Sequence, residues 1–271
     1  MWKGLALHTW TLDTTPLAEV LRIAHATGWD AIELRRLDFK RAAETGQSAA
    51  QVLDLVKRSG LPVACVGVEL GWMWAEGAER RRLLEAFDES CRWARALGCQ
   101  TVMSPVDRGR GDVGRAAASI REVGDIAATH GVRLALEFNS QAEQFNTLEA
   151  LREVLGRAGH THCGVLLDTY HFQRSHGDVR RLEEVAPEEI VYIQYSDVPA
   201  VGLEPGKALD RLPPGQGSVP FRDIFKRLPV ARYGGYLSYE APNPSAWARN
   251  PEQVAREAVL ATRTVLAGGS S

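Results

Sequence analysis

Eight short apolar runs rich in strand formers recur along this chain, separated by stretches with helical period. The runs are Gly4–His8, Ala31–Leu34, Pro62–Val68, Thr101–Ser104, Arg133–Phe138, Cys163–Leu167, Ile190–Tyr195 and Gly235–Tyr239. Between them, Leu17, Val20, Leu21 and Ala24 mark one amphipathic stripe, and Leu84, Phe87, Cys91 and Ala94 another. Val113, Ala117, Ile120, Gly124 and Ala127 form a third stripe, and Val254, Ala258, Ala261 and Val265 a last one. Each follows the i, i+3, i+4, i+7 spacing of a helix packed on a sheet. Gly28, Gly60, Gly98 and Gly131 each follow a helical stretch and precede a strand, where a C-terminal helix cap is expected. Asp178 and Asn250 stand where N-caps are expected, with Pro251 at the first helical position.

Strands alternating with helices imply an all-parallel sheet, either closed or open and doubly wound. A dinucleotide-type open sheet brings a G-x-G-x-x-G turn after an early strand, and neither LHTWTLD nor ELRRLDF has one. The 271 residues also suit one (β/α)₈ barrel of roughly 250 residues. We therefore expect a single (β/α)₈ TIM barrel over residues 1–271, with no linker dividing it. The one long irregular stretch is Ser196–Pro220, dense in Pro and Gly directly after the seventh strand. Its length and position predict a lid over the active site, with a disordered insertion as the alternative.

The formal net charge is only −2, and short basic runs such as Arg80-Arg81-Arg82 sit among acids, which argues against a nucleic-acid partner. Cys65, Cys91, Cys99 and Cys163 form no C-x-x-C pair, which fits buried free thiols in a reducing compartment. MWKGLALHTW lacks the apolar core of about 7–15 residues of a secretory leader. The apolar stretch Pro62 to Ala75 is interrupted by Glu69 and is too short for a membrane span. A cytoplasmic protein without a membrane partner is expected; association into a homo-oligomer stays open.

In such a barrel the active site forms where strands end. Strand five closes on Glu137, strand six on Asp168 and strand eight on Glu240, and strand seven places Gln194 near its end. A carboxylate closing an apolar strand costs free energy unless it is paired, caps a helix or binds a cation. Three carboxylates on neighbouring strands repel one another, and a divalent ion removes that repulsion. Oxygen ligation of this kind suits Mn²⁺ or Mg²⁺, with Co²⁺ or Zn²⁺ less expected.

The set LEF at 136–138, LLDTYHF at 166–172, YIQYSD at 192–197 and YEAPN at 239–243 resembles the xylose-isomerase-like superfamily of sugar-phosphate isomerases and epimerases. It looks most like the small single-barrel members: ketose 3-epimerases, hydroxypyruvate isomerases, inosose dehydratases and 3-dehydroshikimate dehydratases. The likeness covers nearly the whole chain in strand order. The resemblance implies Glu137, Asp168, Gln194 and Glu240 as metal ligands, Glu137 and Glu240 as the acid–base pair, and His171 as a contact for substrate oxygens. Many members carry His where this chain has Gln194; Gln also occurs there in hydroxypyruvate isomerases and some dehydratases. The expected chemistry is removal of a proton beside a carbonyl to give an enediolate, by Glu240 as first base and Glu137 as partner. Return of the proton gives isomerisation or epimerisation of a sugar or ketose; loss of a β-hydroxyl gives dehydration of a cyclic polyol ketone such as an inosose or dehydroshikimate. A barrel that binds a sugar without turnover, as one subunit of an assembly, is the third reading.

His8 closes the first strand as a candidate substrate contact or a buried structural imidazole. Arg35 and Arg36 follow the second strand; one of them is placed to bind an anion or to pair with an acid. Arg211, inside the expected lid, is a further anion-binding candidate. Trp72 and Trp74 are candidates for stacking on a sugar or for packing under a loop.

Overall fold

The computed structural model describes residues 2–201, 208–228 and 233–267. In it, β1 (Gly4–His8), β2 (Ala31–Leu34), β3 (Val63–Gly67), β4 (Thr101–Pro105), β5 (Arg133–Glu137), β6 (Cys163–Asp168), β7 (Ile190–Tyr195) and β8 (Tyr236–Tyr239) close into one parallel barrel in sequence order. Closure is made by β1 against β8, with Leu5 beside Leu237 and Leu7 beside Tyr239. The open doubly wound alternative is thereby excluded. Strand limits agree with the sequence reading to within one residue.

Strand alternation sorts the side chains into two cores. Leu7, Ile32, Leu136, Leu167 and Ile193 point outward and join the large layer between sheet and helices. Each such fully buried aliphatic side chain contributes roughly 1.5–3 kcal/mol. Ala6, Ala31, Cys65, Ala135, Leu166 and Tyr192 point inward and fill the bore. Alanines on three of these strands leave room for the Tyr192 ring. Two residues further along the same strands, and so on the same inner face, stand His8, Glu33, Glu137, Asp168 and Gln194. The polar layer at the top of the barrel is thus a direct product of period two.

Local signals act as their chemistry requires. Gly28 and Gly60 cap helices in the left-handed conformation, at φ 85° and 72°. Asn250 Oδ1 accepts the Gln253 N–H at 3.0 Å. Two helices, Arg36–Glu44 and Ala49–Ser59, occupy the β2–β3 connection, where the sequence reading names no stripe. All four cysteines are free thiols. Among the described residues no helix is long and apolar enough to cross a membrane.

Of the stretch expected as a lid, residues 202–207 lie outside the described residues. The rest is anchored by one side chain. Asp197 Oδ1 accepts the N–H groups of Val198 and Val219, both at 2.9 Å. Its Oδ2 accepts those of Gly215 at 2.8 Å and Gly217 at 2.9 Å. The backbones of Asp197 and Leu212 also exchange both hydrogen bonds as an antiparallel bridge. Gly217 is needed for closeness: a Cβ there would stand 2.1 Å from the Val198 carbonyl oxygen. Arg211, next to the bridge, is thereby held at a set height over the barrel mouth. Asp197→Ala strands four backbone donors, so urea denaturation should show a loss of about 3 kcal/mol; a variant as stable as the parent would refute the anchoring role.

Candidate active site

A cavity of about 350 Å³ opens at the C-terminal ends of the strands, lined among others by His8, Arg35, Glu137, His171, Arg211 and Glu240. Asp168 and Gln194 are fully buried, and neither forms part of the cavity wall. The strand register sets the pair side by side, Asp168 beside Gln194.

Arg211 is the centre of charge. Its guanidinium is 2% exposed. Nη1 lies 2.7 Å from Asp168 Oδ2 and 3.1 Å from Glu240 Oε2, and also reaches the Glu240 carbonyl oxygen at 3.2 Å. The face of Tyr170 lies 4.3 Å from its central carbon. Burial opposes the charge, but Asp168, Glu240 and Glu137 together outweigh it and raise the arginine above its ordinary value. Its Nε remains buried without a partner. The neighbouring Asp210 accepts from Tyr170 Oη at 2.6 Å and pairs with Arg174, which fixes the approach of the chain from the other side.

Glu137, Asp168 and His171 each present one ligand atom within 4.8 Å of the others. Glu240 is outside this trio and is joined to it by Arg211. Asp168 divides its oxygens: Oδ1 caps the helix Thr169–Arg174 by accepting the Tyr170 N–H at 2.9 Å, while Oδ2 faces Arg211. Asp168 thus caps that helix and also faces Arg211 at the barrel mouth. His171 Nδ1 lies 2.9 Å from Ser140 Oγ and its Nε2 3.3 Å from Arg211 Nη2. Burial holds the imidazole down to about 3, so it is neutral. The Ser140 N–H also donates to Nδ1 at 3.3 Å, so donors face both ring nitrogens, the backbone on one side and Arg211 on the other. Burial, then Asp168 and Glu240, raise Glu137 well above the carboxylate range. Burial pushes Glu240 up to about 7 against the pull of Arg211.

Two buried side-chain oxygens among these residues have no partner, Glu137 Oε1 and Gln194 Oε1. Unpaired buried acceptors are costly, and here they stand beside two further carboxylates. Such a donor set fits a divalent cation. His171 adds a neutral nitrogen to the oxygens, which widens the range from Mn²⁺ and Mg²⁺ toward Zn²⁺ and Co²⁺.

Glu33 was missed in the sequence reading. Wholly buried within β2, it accepts from Tyr192 Oη at 3.0 Å and from Gln194 Nε2 at 2.9 Å. Burial and Glu240 push it up to about 8, against those donors. The signal was available: Glu33 is a charged residue two places after an inward alanine in a strand otherwise apolar. His8 belongs to the same network. Its Nδ1 accepts the Trp10 N–H at 3.0 Å, so Nε2 carries the proton, 3.4 Å from Glu240 and 3.5 Å from Glu33. Burial, with Arg35 and Arg211, keeps His8 far below its ordinary value and neutral.

The other candidates are committed elsewhere. Arg35 borders the cavity, but its guanidinium is bound to Asp13 at 2.7 Å and Asp38 at 3.3 Å. Arg36 pairs with Glu89 at 2.6 Å and lies over Trp93. Trp72 is buried against Phe87 and donates to Ser104, and Trp74 stacks on Phe145; neither lines the cavity.

The chain is similar to known proteins over most of its length. An inosose isomerase of Bacillus velezensis is 21% identical over 94% of this chain and 94% of its own length. A 3-dehydroshikimate dehydratase of Pseudomonas aeruginosa is 27% identical over 84% of this chain, which spans only 36% of that longer protein. The 1.8 Å crystal structure of the IOLI protein with a zinc atom superposes at a TM-score of 0.87, with 19% identity and 99% of each chain covered. Residues 21–265 match the model of the xylose isomerase-like TIM barrel family, and the chain belongs to that family as one of its enzymes.

Proposed function

We propose that this enzyme isomerises or epimerises a hydroxy-ketone of the sugar or polyol class, with Glu240 taking a proton from carbon and Glu137 delivering one. The observation that carries the reading is the set of unsatisfied buried atoms at the barrel mouth. Among them are two acceptors, Glu137 Oε1 and Gln194 Oε1, and two donors, Arg211 Nε and Gln141 Nε2. Acceptors that lack a donor suit a cation; a donor that lacks an acceptor suits a substrate oxygen. Glu137, Asp168 and Gln194, with His171 at hand, would hold a divalent ion, which Glu240 would join by leaving Arg211, and the ion would supply Lewis-acid polarisation of a carbonyl.

The chain's own groups supply the rest. Glu240, steadied by Arg211 and His8, takes the proton beside the carbonyl. Glu137, whose buried carboxyl keeps a proton of its own, delivers that proton to carbon, and the two carboxyls regain their starting states by exchange with solvent between turnovers. The Arg211 N–H groups lie where negative charge would gather on a substrate oxygen, in a buried setting where such donors act strongly. Neutral His171 orients a hydroxyl through Nε2. The segment carrying Arg211, fastened by Asp197, covers these steps and excludes water. Dehydration of a cyclic polyol ketone is the second reading, favoured by the 27% identity to a 3-dehydroshikimate dehydratase. Turnover of a panel of ketoses, inososes and dehydroshikimate, followed by NMR, separates the two: the dehydratase releases water and forms a double bond, and the isomerase does neither.

Glu137→Gln and Glu240→Gln should each lower kcat by about 10³-fold while leaving the circular dichroism spectrum intact. Parental activity in either variant removes that carboxylate from the mechanism. Chelation should lower the melting temperature, because a ligand bound only by the native state stabilises it; an unchanged melting point in EDTA counts against the ion. With chelator present, the pH profile is also set. Glu240 and Glu33, at about 7 and about 8, hold their protons more tightly when folded than unfolded, where the ordinary value is 4.5. Ionising them therefore costs stability as pH rises. Neutral His8 and His171 act in the opposite sense, but only below 6.5. The melting temperature should fall from pH 6.5 to 8; a flat or rising profile contradicts the buried carboxylates.

A further inference from the structure

We infer that Glu33 is a positioning residue that sets the orientation of the Gln194 amide, so that its oxygen and not its nitrogen is presented to the ion. The inference rests on the metal reading proposed above. A glutamine amide has nearly the same shape in either orientation, and only its partners decide which end points where. Gln194 Nε2 donates to Glu33 Oε1 at 2.9 Å, while Gln194 Oε1 is buried with no partner. With Glu33 ionised, the turned-over amide would set its oxygen against the carboxylate oxygen of Glu33, with no hydrogen between them, and would aim two N–H groups toward the acidic cluster in place of a ligand oxygen.

Glu33 is itself fixed. Tyr192 Oη donates to its Oε2 at 3.0 Å, and the His8 Nε2–H lies 3.5 Å from its Oε1. The His8 ring is oriented in turn by the Trp10 N–H on Nδ1. Tyr192 and Gln194 thus both donate to Glu33, and the His8 ring, held by the Trp10 N–H, stands beside the same carboxylate. This explains why a carboxylate is kept inside the bore, where an apolar side chain would cost less to bury. It also accounts for a glutamine as ligand: an amide is ambiguous, and this chain supplies the group that removes the ambiguity.

The test is Mn²⁺ titration, by calorimetry and electron paramagnetic resonance, of metal-stripped wild type, Glu33→Gln, Gln194→His and the double variant Glu33→Gln/Gln194→His. The Glu33→Gln substitution keeps the shape but brings a donor that can reach Gln194 Oε1, which frees the amide to turn. It should weaken Mn²⁺ binding by about 10–100-fold, the size of effect seen for groups that orient ligands. The melting temperature of the stripped variant should not fall. Adding Gln194→His should restore affinity to within about threefold of the Gln194→His single variant, since an imidazole can donate to the amide oxygen introduced by Glu33→Gln and still offer its other nitrogen. Wild-type affinity in Glu33→Gln, or a double variant as weak as Glu33→Gln, overturns the inference. No Mn²⁺ uptake by wild type is a different result: it fells the metal reading and this inference with it. Should Glu33→Gln fail to fold, the wild type decides by NMR. The Gln194 side-chain NH₂ must stay protected from solvent exchange when Zn²⁺ is added, and loss of protection overturns the assignment.

Discussion

A guanidinium enclosed by carboxylates holds the mouth of this barrel together. Arg211 bridges Asp168 and Glu240 and feels Glu137 as well, so one positive charge offsets part of the repulsion that three closely set acids create. Neither side could be buried alone: the acids would keep their protons, and an unpaired arginine in that position would draw in water. The pairing is long in sequence, 43 residues from Asp168, and it is made possible by an anchor in the loop. Asp197 gathers four backbone N–H groups and sets the segment that delivers the arginine. Chemistry at the mouth therefore depends on a turn outside the barrel.

Beneath that layer, the arrangement follows from strand geometry. Inward positions alternate with outward ones, so the small residues of the bore and the polar residues of the rim are the same set of positions advanced by one period. Ala135 leads to Glu137, Leu166 to Asp168 and Tyr192 to Gln194. The helices need only wrap the outer layer, which leaves the rim free to carry function.

The fold was legible because its signals are local. Eight runs of strand formers and the glycines after helices need no partner to be recognised, and the strand ends carried Glu137, Asp168, Gln194 and Glu240. What escaped was relational. Whether Arg35 would be free depended on Asp13, 22 residues away, which binds it. That Arg211 would be buried depended on Asp197. Glu33 lies mid-strand, where a reading of strand ends does not look, and its partner Gln194 is 161 residues distant. His171 was expected beside a substrate and also falls within ligand distance of Glu137 and Asp168, because a helix starting at Asp168 turns position three back over its own first residue.

That helix start carries a mechanical meaning. Asp168 ties the first turn of Thr169–Arg174 with one oxygen and faces the centre of the site with the other. A shift of the carboxylate toward anything seated there must tug on the Tyr170 amide, and through it on both the ring that supports Arg211 and the imidazole of His171. One carboxylate therefore ties the centre of the pocket to the backbone of the short helix that carries both Tyr170 and His171.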